Sequence, residues 1–198
     1  MPLLILFIGG VAGAILGYIT TGPFVKLYAD PGIGMFTTIS GIAGGFVSFF
    51  ISWIVIAAIL FLISMAFRGS GTFKRTLEFI GFGMLPQVLG AIISIIIAPS
   101  YFSRIVVSPI RSLTDIQVVL QAQNQVLKSP AYIEYQHIAA VLGIIFLLWS
   151  ANIWIFGLKH SRNISLKHAV ITVLVPVVIF AGISLYFAFF GMPFGGVA

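Results

Sequence analysis

The chain has 198 residues, of which 60% are hydrophobic and only 7% charged, and its formal net charge is +6. A soluble domain carries charge on about a quarter of its residues, so a water-soluble globular fold is excluded, and so is a nucleic-acid-binding domain built on one basic face. The absence of cysteine excludes disulfides and thiolate metal sites.

The apolar runs are about 20 residues or longer, enough to cross a hydrocarbon core of about 30 Å as helices, and they lack the two-residue alternation of a membrane barrel. The sequence therefore predicts an all-α, polytopic membrane protein forming a single membrane domain over residues 1–198. Its five transmembrane spans are expected at about 3–21, 40–67, 76–98, 135–157 and 167–190. No basic residue precedes the first run, MPLLILFIGGVAGAILG, as a signal peptide would require, so it reads as a retained first helix.

Gly9, Gly13 and Gly17 in the first span, and Gly41 and Gly45 at the start of the second, recur at i, i+4 spacing. Such a stripe lets another backbone approach closely, which drives helix association in lipid. Its partner is either another span of the same chain or a second copy. The intervening TGPFVKLYADPGIG reads as a turn-rich loop.

The second connection, FRGSGTFKR, matches neither the Walker A pattern nor the dinucleotide fingerprint, and its flanks are membrane spans. It reads as a hairpin at the membrane surface. Glu78 stands one turn into the third span, where Lys74 and Arg75 can neutralise it at i−4 and i−3. Pro86 is expected to break this span, and Gln87 beside it is one of the two deepest strongly polar side chains.

The third connection, from Pro99 to about Tyr132, contains Ser112 and Asp115 at capping-box spacing, followed by Leu113, Ile116, Leu120 and Leu127 on or near one helical face. An amphipathic helix over about 112–127 is predicted, either resting in the interface or serving as a lid or partner surface. Glu134 and His137 share one helical face, but the chain has only four carboxylates, too few for a di-iron bundle. No metal, cofactor or catalytic constellation is expected.

Asn152, in the fourth span, is the second deep polar residue. Together with Gln87 it could serve as glue between helices or line a polar path. The fourth connection is GLKHSRNIS, and the last span carries a second expected break at Pro176.

An odd number of spans sorts the loops by side. Arg68, Lys74, Arg75, Lys159, Arg162 and Lys167 crowd into two short loops, whereas Lys26, Arg104, Arg111 and Lys128 are spread over two longer ones. The positive-inside rule then places the N-terminus in the cytoplasm and the C-terminus outside.

The two basic loops share a further pattern, a hydroxyl followed by a basic pair at a helix start: Thr72 before Lys74 and Arg75, and Ser165 before Lys167 and His168. This is a weak parallel repeat. Positive charge at a helix N-terminus opposes the macrodipole, and an anionic phosphate would relieve that opposition. Arg68, Thr72, Lys74, Arg75, Lys159, Arg162, Ser165 and Lys167 are accordingly the candidate site for anionic headgroups of membrane lipids on the inner face, or for an acidic partner segment. The alternative is that they set topology and nothing more.

The stretch GSGTFKRTLEFIGFGMLP, Gly69 to Pro86, resembles the glycine-then-"F-K" loop and following helix of the Yip-domain membrane proteins, a family named for interaction with Ypt/Rab GTPases. WSANIWIFGLKHSRNISLKHAVITVLVP, Trp149 to Pro176, is similar to that family's second hairpin. The resemblance covers roughly residues 46–186 and implies five spans with a cytoplasmic N-terminus. Eukaryotic members act in vesicle traffic and carry a hydrophilic region before the first span. This chain enters its first span almost at Met1, so a prokaryotic member is the better match. The expected function is non-enzymatic: membrane organisation, or docking of lipid, a second copy or another membrane protein, without nucleic acid. The expected location is a prokaryotic plasma membrane, or an endomembrane in a eukaryote. The alternative is a small channel or transporter for a neutral solute, ion or lipid.

Overall fold

The computed structural model describes residues 2–110 and 115–191. The elements are α1 (Pro2–Val25), α2 (Pro31–Ala66), α3 (Phe73–Phe82), α4 (Leu85–Phe102), α5 (Ile116–Leu127), α6 (Pro130–Arg162) and α7 (Leu166–Phe190). Helices α1, α2, α4, α6 and α7 are long and apolar enough to cross a membrane, so the chain is an all-helical, multi-pass membrane protein. The loops with Arg68 and Arg162 lie together at one end of the bundle, called the basic end below.

The glycine stripe is an internal seam. A Cβ at Gly13 would run into the Gly45 carbonyl oxygen, and one at Gly17 into that of Gly41, so α1 and α2 touch backbone to backbone. Gly9 meets the Phe49 ring in the same seam. The homodimer alternative for this stripe is thereby replaced by a contact within the chain.

Two buried clusters fill the bundle. One, toward the basic end, gathers Leu6, Trp53, Leu60, Ile80, Trp154, Leu158 and Val173. The other gathers Leu27, Phe102, Ile105, Val126 and Tyr135 under α5 at the far end. There Ile110 N donates to Leu27 O at 2.8 Å, and Gln123 Nε2 to the Tyr28 hydroxyl at 3.1 Å, tying the long connection to the α1–α2 turn.

The expected third span, 76–98, is two helices. The chain turns at Gly83 and Met84, where Met84 N bonds Gly81 O and leaves the Ile80 carbonyl free for the Trp154 indole, which donates to it at 3.1 Å. A Cβ at Gly83 would fall inside the Trp154 ring. Trp53 Nε1 donates to Leu77 O at 2.9 Å, so tryptophans from α2 and α6 both dock on this joint. Pro86 stands just after the break, in the first turn of α4, where a missing N–H costs nothing.

Pro176, by contrast, does not break its span: α7 runs through it from Leu166 to Phe190. Proline removes one backbone bond, while the remaining bonds must stay within the helix because lipid offers no substitute. Helix α2 begins at Pro31 and not near residue 40, because Asp30 caps it, accepting from Gly32 N at 2.7 Å, with proline in the first turn. The residues read as a turn are a helix start. Helix α5 likewise begins from Asp115, which accepts from Gln117 N at 2.9 Å, while Ser112 and Leu113 lie outside the described residues. Its buried positions are Ala122 and Val126, which leaves Ile116, Leu120 and Leu127 facing outward.

Candidate functional site

At the basic end, α2 delivers the chain into the loop of Arg68–Thr72, and α6 delivers it into the short turn of Asn163–Ser165. Arg162 joins them. Its Nε donates to Ser64 Oγ at 2.8 Å, Nη2 donates to Gly69 O at 2.6 Å, and Nη1 donates to Gly71 O. The guanidinium carbon also lies 4.1 Å from the centre of the Phe61 ring. Only 3% of Arg162 is exposed, and every acceptor around it is neutral. A planar group with five donors suits this task, since it can hold several carbonyls at fixed angles.

Arg162 is therefore not presented to headgroups. Its expected place in an anion-docking set is corrected: the side chain turns inward because the Gly69 and Gly71 carbonyls need donors that α2 and α3 do not supply. Further bonds close the seam. Ser70 N donates to Arg162 O at 2.8 Å, Asn163 Nδ2 to Ser70 Oγ at 3.2 Å, and His168 stacks on Phe67 with ring centres 4.5 Å apart. Gly71 has φ 114° and packs against the Ser161 carbonyl, where a side chain would not fit.

The remaining candidates stand around this lock. Thr72 accepts from Arg75 N at 3.3 Å and Ser165 from His168 N at 3.3 Å, so the paired hydroxyls cap α3 and α7 in the same way. Arg68, Lys74, Arg75 and Lys167 are exposed, and Lys159 is half-buried. Arg68 adopts the left-handed conformation at φ 54°. The expected pairing of Glu78 with Lys74 or Arg75 does not form: among the described residues the one ion pair is Arg104 with Glu134, 3.6 Å apart at the far end. Arg75 lies instead 6.0 Å from the Phe79 ring centre. Two helix N-termini, neither with an acidic residue in its first turn, and four exposed cations thus stand at the same end of the bundle. This arrangement can hold an anion through backbone amides and side-chain charge together.

Gln87 and Asn152 do not share a path. Gln87 Nε2 donates to Ser150 Oγ at 3.4 Å and lines a cleft of about 620 Å³ between α1, α2, α4 and α6, with Thr20, Ser94 and Tyr135 farther along it. Asn152 is on the opposite side of α6, in a separate groove against α7. Two residues of α6, Ser150 and Asn152, are about 200° apart around the helix, so a residue facing α4 at one cannot be joined by the other. Elsewhere, Glu134 pairs with Arg104, and His137 stacks on Phe189 with ring centres 4.3 Å apart.

Sequence reasoning missed the role of Ser64, which looks like any small residue in a span, and of the Gly69 and Gly71 carbonyls, which leave no trace in residue type. The tryptophans carried a signal: indole N–H groups inside apolar spans need acceptors.

A family model described as the Yip1 domain matches residues 1–188. An uncharacterized protein of Methanocaldococcus jannaschii is 39% identical over 105 residues, covering 52% of this chain and 73% of that protein. No solved structure matches the chain.

Proposed function

The chain belongs to the Yip1 domain family, and from that premise we propose that it is a non-enzymatic, membrane-organising protein whose basic end docks anionic lipid headgroups or an acidic segment of another membrane protein. The observation that carries this is the pair of helix N-termini, of α3 and α7, at the basic end, where Lys74, Arg75 and Lys167 stand exposed with no carboxylate paired to them among the described residues. Placing that end on the cytoplasmic face agrees with the distribution of lysine and arginine, and the archaeal relative is consistent with a prokaryotic plasma membrane. A non-enzymatic reading is supported by the engagement of His137 and His168 in aromatic stacks and of Glu134 with Arg104.

Native mass spectrometry of the protein gently extracted from its own membrane tests the proposal. Anionic lipid or a discrete protein should be retained by the wild type and lost from a Lys74→Gln, Arg75→Gln, Lys167→Gln variant. Equal retention by both would reduce the cations to topology signals and overturn it.

The competing reading, a small channel or transporter, is favoured by the cleft that Gln87 lines. Liposome flux of a neutral solute, blocked by a bulky substitution at Gly143, where a Cβ meets nothing within 4 Å, would establish it in place of docking.

A further inference from the structure

We propose that the groove between α6 and α7 holds one anionic membrane lipid, with its phosphate at Lys159 and Lys167 and a hydrocarbon chain along the helix faces beyond them. This deepens the headgroup-docking reading and rests on it. The groove has a volume of about 380 Å³ and is walled by Leu148, Asn152 and Phe156 from α6 and by Leu166, Val170 and Leu174 from α7. That volume lies within the range of about 300–1,000 Å³ typical of small-molecule sites.

The lining, which includes Ala151 and Ile155 on α6, recurs at three- and four-residue spacing, so each set occupies one helix face. Lys159 follows Phe156 by three positions and Lys167 precedes Val170 by three, which puts both cations on those same faces at the basic mouth of the groove. Neither is in an ion pair among the described residues. The Ser165 cap takes the His168 amide and leaves the amides of Leu166 and Lys167, the first two of α7, pointing out of the helix end.

The two halves of the groove select the occupant. A free phosphate ion would use the cations and amides but leave the apolar walls bare. A neutral chain would fill the walls but leave the charge unanswered. An anionic lipid satisfies both, and its polar linkage near the head of the chain can meet the Asn152 amide, which makes no hydrogen bond among the described residues. Exposing such an amide at span depth is costly without a partner.

The test uses the full chain in neutral detergent, titrated with phosphatidylglycerol or phosphatidylcholine and read by native mass spectrometry. Wild type should hold one phosphatidylglycerol in preference to phosphatidylcholine. Lys159→Gln with Lys167→Gln should weaken it by roughly tenfold or more, as expected for two lysines at an anionic head. Val170→Trp, which fills the groove, should abolish the tightly held copy. Leu174→Phe, at an exposed wall position, should weaken it too and covers the case in which the tryptophan variant does not fold.

Retention of phosphatidylglycerol by the groove-filled variants, with loss only in Lys74→Gln, Arg75→Gln, would overturn the groove assignment while leaving headgroup docking intact. A wild type with no preference for phosphatidylglycerol would overturn both. A second copy of the chain retained in place of lipid, and displaced by Val170→Trp, would make the groove a protein contact and also overturn the lipid site.

Discussion

Arg162 and Ser64, 98 positions apart in sequence, meet at 2.8 Å with both side chains buried. That one bond, with the two carbonyl bonds beside it, makes the loops after α2 and α6 a single unit. Removing the guanidinium leaves Gly69 O, Gly71 O and Ser64 Oγ to find other partners. Arg162→Met should therefore lower stability by about 3 kcal/mol, and Arg162→Lys should recover little of it because a point charge cannot span three acceptors. Thermal unfolding in detergent measures this, and a shift no larger than that of an exposed control such as Arg68→Gln would contradict it.

The α1–α2 seam separates glycines that are needed from glycines that are not. Gly13→Ala and Gly17→Ala place a methyl group against backbone carbonyls and should each destabilise by about 2 kcal/mol. Gly44→Ala, where a Cβ meets nothing within 4 Å, should be neutral or stabilising by about 0.5 kcal/mol through the better helix former. Equal effects at Gly13 and Gly44 would show that the two helices do not meet as described.

Trp154→Phe keeps the aromatic bulk and removes the donor to Ile80 O. The freed carbonyl is buried, so a loss of about 1–2 kcal/mol is expected. The change should appear locally, as faster amide exchange around Gly81–Met84. Unaltered exchange there would argue that the indole fills space and does not bond.

The two caps should respond alike. Thr72→Ala and Ser165→Ala each remove one side-chain acceptor at a helix start, costing about 1 kcal/mol. Urea or heat titrations of the single and double variants would show it, and a large effect at one cap with none at the other would end the parallel drawn between the two hairpins.

The features that could be read from residue order were those with a period or a local rule. The glycine stripe announced a close seam through its spacing, though not which helix would fill it, and the paired hydroxyls announced two helix starts. Other features depend on partners far away in sequence. Arg162 looks like any cation at the end of a span, and its inward turn is dictated by carbonyls 91 and 93 residues away. The split after Phe82 depends on the Trp154 indole of α6 donating to the Ile80 carbonyl that the turn leaves free, with the Trp53 indole of α2 donating to Leu77 O beside it. The early start of α2 was legible in Asp30-Pro31, but the glycines around it favoured a turn. Asn152 and Gln87 were both recognised as deep polar groups, yet only the phase of α6 reveals that they face different ways.

Helix α2, at 36 residues, is about 54 Å long, whereas α4, at 18 residues, is about 27 Å, against a hydrocarbon core of about 30 Å. Both pack on α1, and no charged residue interrupts the stretch from Pro31 to Phe67. A bilayer wrapped around this bundle therefore meets a tall apolar wall beside α2 and a short one beside α4. It must thicken on one flank, or the bundle must lean, and each adjustment costs a fraction of a kcal/mol per Å of hydrophobic mismatch. Several copies in one membrane would feel one another through that uneven lipid before any of their side chains touched.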